Sequence, residues 1–172
     1  MARTPRTFSA WAGAVILLIL MIGIGLLVRR EPAVSQPIAF NHLKHTQELG
    51  LDCVFCHTYV ETGAHPGLPD ADTCSLCHRA PLGESEEAAK LSQLIADGEP
   101  LRFNKLFRLP DHVFYTHRRH VGIAELDCTI CHGEISETEI PPERPLVEIS
   151  MSFCLDCHLE QEETVDCNAC HR

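Results

Sequence analysis

Every one of the ten cysteines in this chain of 172 residues belongs to a Cys-x-x-Cys-His pentapeptide. The five copies are Cys53/Cys56/His57, Cys74/Cys77/His78, Cys128/Cys131/His132, Cys154/Cys157/His158 and Cys167/Cys170/His171. Paired thiols at this spacing serve zinc ribbons, dithiol redox centres and disulfides, but none of those chemistries asks for a histidine directly after the second thiol. With 11 histidines in the chain, finding one there all five times has a chance of about one in a million. Covalent haem does ask for it. Two thiols form thioethers with the porphyrin vinyl groups, and the adjacent imidazole reaches the iron from the proximal side. The motifs therefore predict five covalently attached c-type haems, with His57, His78, His132, His158 and His171 as proximal ligands.

Six histidines remain: His42, His45, His65, His112, His117 and His120. Closing the sixth position of every iron takes five of them. His42/His45 and His117/His120 stand at i and i+3, near one another on a helix but with diverging rings, so the members of a pair can serve different, adjacent haems. These four are expected as distal ligands. The fifth is either His65, in a turn between Gly63 and Gly67, or His112, five residues before His117. His112 is the better candidate, because its stretch already delivers ligands. Met151 offers a thioether just before Cys154 but is expected to pack rather than ligate.

Two long segments position these groups. FNHLKHTQELGLDCVFCHTYVE (Phe40 to Glu61) aligns without a gap with YTHRRHVGIAELDCTICHGEIS (Tyr115 to Ser136), 75 residues further on. The chain reads as a diverged duplication over about residues 40–79 and 115–159, with the fifth motif at 167–171 an addition. Between the halves one segment reads as an ordinary helix. Ser85 can cap it, Glu86 and Glu87 suit its positive end, Ala88, Leu91, Leu94 and Ile95 make an apolar stripe, and Gly98 can end it. It is expected to pack over a haem or join the halves. Residues 133–148, with Pro141, Pro142 and Pro145, read as an extended acidic loop without ligands. The fold class expected is mostly α and irregular, with little regular secondary structure and haems supplying much of the core of residues 31–172.

Residues 11–28 (WAGAVILLILMIGIGLLV) form an uncharged run at the lower end of what a membrane-spanning helix needs. The run exceeds the h-region of a cleaved signal, and no small-residue cleavage site sits at its end. Residues 1–30 are therefore expected to be a retained signal anchor, with 31–172 the haem domain. Haem attachment follows export, which puts that domain on the periplasmic or outer face of a bacterial inner membrane, in a single-pass protein. The run holds no ionisable residue, which argues against an ion path through it. All 24 acidic residues follow residue 30, against all but four of the 14 basic ones, a net charge of about −14 for the haem domain. Nucleic acid is thereby excluded as a partner, and a soluble redox partner is expected to present a basic face.

The aromatic-x-His-x-x-His segment followed by Cys-x-x-Cys-His resembles the class III multihaem cytochromes c, in which the two histidines ligate different haems. Over Cys53 to His78, Leu109 to Ile135 and Met151 to His158 the chain is similar to the membrane-anchored pentahaem cytochrome subunit of alternative complex III. That resemblance implies electron transfer from quinol-oxidising and iron–sulfur membrane subunits, through the haems, to a periplasmic or membrane acceptor. The chain is thus expected to be an electron-transfer protein of a respiratory chain rather than an enzyme. One competing reading is a multihaem reductase with an open iron. The other is a tetrahaem-like quinol dehydrogenase, from which the chain differs in carrying Thr58 and Tyr59, not methionine, after its first motif.

Overall fold

The computed structural model describes the backbone of residues 7–28 and 33–171, and the side chains of 11–25 and 33–171. The chain divides into two units, one up to Ala33 and one from Val34. The first is helix α1, Thr7–Val28. Its described side chains are apolar around the whole circumference, with Trp11 75% and Leu17 63% exposed. Among the described residues no helix is long and apolar enough to cross a membrane. The span expected at 11–28 runs past the last described side chain of α1.

The second unit is built from short helices and irregular loops: α2 (Cys53–Cys56), α3 (Ala71–Ser75), α4 (Glu86–Ala96), α5 (Cys128–His132), α6 (Met151–Glu160) and α7 (Cys167–Cys170). No strand occurs among the described residues; a single antiparallel bridge joins Val113 to His171. Helix α4 lies where the sequence predicts it and ends at Gly98, which adopts φ +68°. The side chain of Ser85 makes no capping bond there. Glu87 instead reaches across to accept from the Ala39 amide at 2.8 Å. The apolar stripe of α4 packs on α3, with Ile38, Leu91 and Leu101 buried together and Cys74, Leu94 and Ile95 around them.

That cluster is small. Among the described residues only Ile38, Val60, Leu91 and Leu101 are buried hydrophobics, and no side chain is fully enclosed. A domain of this length ordinarily buries far more of its own apolar surface. The deficit has the form expected if prosthetic groups fill the interior.

The duplication is structural as well as sequential. Lys44–Glu48 and Arg118–Ile123 are both π-helical, closed by matching bonds: Leu49 N–H to Lys44 O and Ala124 N–H to Arg119 O, both 3.1 Å. Each turn then leaves through a left-handed residue, Gly50 at φ 68° and its counterpart Glu125 at φ 54°. The expectation of a simple helical i, i+3 relation is thus refined. A π-turn widens the helix and changes the angle between the two rings.

Candidate haem-binding sites

A side chain at the N-cap starts most of the attachment helices, and two registers occur. Asp127 accepts from the Thr129 amide at 2.8 Å and Asp166 from the Asn168 amide at 2.9 Å, so that Cys128 and Cys167 are first helical residues. Asp52 occupies the same position before Cys53 without a side-chain cap bond. In the other register Asp70 caps through Thr73 at 2.9 Å and Ser150 through Phe153 at 3.2 Å, which puts Cys74 and Cys154 one turn into their helices. The registers alternate with the repeat: first, third and fifth motifs share one, second and fourth the other.

The second motif departs from the others at its second thiol. Cys56, Cys131, Cys157 and Cys170 all lie within their helices, whereas α3 ends at Ser75 and leaves Cys77 beyond it. Cys77 sits in a tighter turn, its N–H donating to Cys74 O at 3.2 Å, and its residue is exposed. The following His78 N–H returns to the same Cys74 carbonyl at 2.9 Å, as His57 N–H does to Cys53 O and His171 N–H to Cys167 O. The thiol expected to hold a porphyrin there is therefore carried by a turn that keeps the motif compact, not by a helix. None of the ten cysteines forms a disulfide.

The histidines meet in twos. His45 faces His78 with ring centroids 6.1 Å apart, His117 faces His132 at 6.4 Å, His120 faces His158 at 6.2 Å and His112 faces His171 at 5.5 Å. Burial first, and then the neighbouring His57 and His45 imidazoles, push His42 down to about 4, and His42 is the non-motif imidazole left for His57 once the other four pairs are formed. Four of the five motif histidines thus face one non-motif ring each, and His42 lies near the fifth, His57. Two imidazoles on opposite sides of one metal, each bonded at about 2 Å, hold their centroids about 6 Å apart. His65 lies close enough to His117 to act on it electrostatically, but no motif histidine pairs with it in this way.

Ring orientation is fixed by bonds to the outer nitrogen. The Nδ1–H groups donate to backbone carbonyls: His45 to Asn41 (2.7 Å), His57 to Gly67 (2.9 Å), His117 to Ala64 (3.2 Å), His120 to Thr116 (3.0 Å) and His158 to Thr164 (2.7 Å). A carbonyl can only accept, so the proton sits on Nδ1 and Nε2 is left with its lone pair free. His42 reaches the same state differently. The Thr138 hydroxyl spends its proton on Ile135 O at 2.8 Å and so accepts from His42 Nδ1 at 3.2 Å. This is the arrangement that makes an imidazole a more basic metal ligand. Burial also holds His78, His117 and His132 below the usual histidine range, which keeps them neutral as ligation requires.

One aromatic ring spaces each histidine pair. Phe40 meets His42 edge-on at 4.8 Å and stacks on His45 at 4.4 Å; Tyr115 meets His117 edge-on at 4.9 Å and stacks on His120 at 4.5 Å. Burial pushes the Tyr115 hydroxyl up to about 12, so it stays protonated.

The two halves dock reciprocally. The loop after the first motif receives the second half, with His117 N–H to Ala64 O at 3.1 Å and Arg118 N–H to Gly63 O at 2.9 Å. The loop after the third motif receives the first half, with Leu43 N–H to Thr138 O at 3.1 Å and Thr46 Oγ1 to Ser136 O at 2.8 Å. Gly122 lies against the backbone carbonyl of Glu61, where a Cβ would collide with the carbonyl oxygen. The fifth motif is tied to the segment carrying His112 by Phe114 N–H to Cys170 O at 2.7 Å and the Val113–His171 bridge.

The donor set fits haem better than zinc. Among the described residues no three His, Cys, Asp or Glu side chains converge as a metal site. Zinc needs four protein donors or three and a water, whereas a porphyrin supplies four of its own and asks the chain for two. Sequence reasoning missed the role of Thr138, which lies in the loop read as extended, acidic and without ligands and orients His42 from there. It also missed the alternating caps, although an Asp directly before Cys53, Cys128 and Cys167 was their visible signal. A groove of about 470 Å³ between α3 and α4, lined by Arg79 and Arg102 among others, lies beside the second attachment segment and not between any of the ring pairs.

Comparison with known proteins agrees with this chemistry. Residues 113–172 match the family described as cytochrome c7 and related cytochrome c. The chain is also 30% identical, over 158 residues covering 79% of it and 75% of the relative, to the menaquinone reductase multiheme cytochrome c subunit of Nitratidesulfovibrio vulgaris.

Proposed function

The chain belongs to the multihaem c-type cytochromes, and from that premise we propose that it carries electrons along five haems, with no substrate chemistry at any iron. Haem iron supplies a one-electron couple whose potential depends on its axial ligands and their surroundings. The chain's own residues do the rest. The ten motif cysteines would hold the porphyrins, and the motif histidines together with His42, His45, His117, His120 and His112 would ligate the irons. The observation that carries this reading is the facing of four motif histidines by one non-motif imidazole each, with His42 near the fifth. A reductase would need an iron with an open position; the four facing pairs, with His42 near His57, favour the closed alternative. Two imidazoles per iron also give lower potentials than Met/His ligation, which suits a low-potential quinol couple.

The name of the Nitratidesulfovibrio vulgaris relative and the resemblance to the alternative complex III subunit both support quinone-reactive membrane subunits as partners, with a periplasmic or membrane acceptor. The uncharged stretch 11–28 supports a single-pass anchor in the inner membrane, with the haem domain outside. Pyridine haemochrome content per polypeptide tests the haem count, and electron paramagnetic resonance of the oxidised protein tests ligation. Five haems, all low-spin, are expected. Four or fewer in mature protein, or one high-spin haem that binds cyanide, would overturn the proposal.

A further inference from the structure

We propose that the five attachment sites stand in one unbranched row in the order second, first, third, fourth, fifth motif, with the second-motif and fifth-motif sites at its ends. The order rests on the ligand reading above. It differs from the order along the chain because the halves meet head to head.

Four contacts fix it, one for each step. Phe40 touches both His42, beside His57 of the first motif, and His45, beside His78 of the second, so these two sites are neighbours. Tyr115 does the same for His117 and His120, which makes the third and fourth sites neighbours. The halves themselves are joined through their first motifs. The loop after the first motif holds His117 through Ala64, and the loop after the third motif holds His42 through Thr138. Cys128 lies close to Cys53 across this junction. Finally, the fifth motif follows His158 after one short turn, closed by His158 Nδ1 donating to Thr164, and Cys170 comes to lie near Cys154.

The thiols lie near one another in the same series: Cys74 is near Cys56, Cys53 near Cys128, Cys131 near Cys154 and Cys157, and Cys154 near Cys170. A pseudo-twofold relation thus joins equivalent sites, first to third, with second and fourth outside them and the fifth appended to one side.

The test replaces one distal histidine at a time in the full chain: His45→Met, His42→Met, His117→Met, His120→Met and His112→Met. A methionine ligand raises the potential of its own haem and adds a sulfur charge-transfer band, which identifies the altered site. Electrostatic coupling falls with distance, so the midpoints that also shift belong to the nearest neighbours. In spectroelectrochemical titrations one further midpoint should move in His45→Met and His112→Met, and two in His42→Met, His117→Met and His120→Met. If an interior variant fails to mature, the remaining interior variants carry the same count. Two or more shifted neighbours for His45→Met, or one alone for His117→Met, overturns the order while leaving five ligated haems. Absence of the sulfur band overturns the ligand reading and the order with it.

Discussion

Gly122→Ala should break the joint between the two halves. An added Cβ collides with the Glu61 carbonyl oxygen and comes within 2.9 Å of the carbonyl carbon and 3.2 Å of Cα. All three are backbone atoms, so no side-chain rotation relieves the contact, and the second histidine segment must lift off the loop that follows the first motif. Overpacking of this kind costs about 1–3 kcal/mol. Lifting also stretches the bonds from His117 N–H to Ala64 O and Arg118 N–H to Gly63 O, each worth about 1 kcal/mol net. The total is about 3–5 kcal/mol, or a melting point lower by roughly 10–20 °C for a domain of this size. Thermal unfolding of the haem-loaded protein, followed by Soret absorbance, measures it. Gln47→Ala is the control, because Gln47 holds the equivalent position in the first half, is exposed, and should change stability by less than about 0.5 kcal/mol. A Gly122→Ala protein that melts within about 2 °C of the parent would refute the docking argument.

His112→Ala should leave the haem of the fifth motif five-coordinate and high-spin, whereas His65→Ala should leave the paramagnetic resonance spectrum unchanged; the reverse result transfers the ligand role to His65. Thr138→Val removes the acceptor of His42 Nδ1, so the imidazole becomes less basic and the potential of the first-motif haem rises while the others hold, as read by spectroelectrochemistry. Glu125→Gly relieves a left-handed backbone that Gly50 occupies without strain and should stabilise the domain by about 1 kcal/mol in thermal unfolding, against no gain if that φ is not populated. Fractionation should find the full chain in membranes after a high-salt wash, held by residues 11–28 rather than by charge; release into the soluble periplasmic fraction would count against the anchor.

The head-to-head order gives the duplication a physical use. In the proposed row each half would carry the distal ligands of two sites on one π-turn, and joining halves through equivalent sites would lengthen the row without a new type of contact. The departures from symmetry lie where the joint demands them. Gly122 replaces the Gln47 type because its face meets Glu61, while Thr46, on the other half, reaches Ser136 with its hydroxyl instead.

The attachment motifs, the repeat, helix α4 and the near absence of regular structure were legible in the sequence because each is local. Thiol spacing, a matching register and an apolar stripe are written into consecutive residues. The doubled histidines were visible for the same reason, and so was the thought that two neighbours on a turn face different ways. What lay beyond reach was which ring faces which, and also that the helix of the second motif stops short of Cys77. The meeting of His112 with His171, the hydroxyl of Thr138 under His42 and the close approach at Gly122 join residues far apart in the chain. Such contacts leave no periodicity, and a histidine in a loop looks alike whether it meets another ring or water. The proposed row of sites would therefore be a property of tertiary structure: sequence supplies five Cys-x-x-Cys-His motifs and their order along the chain, and the reciprocal docking of the halves would reorder them in space.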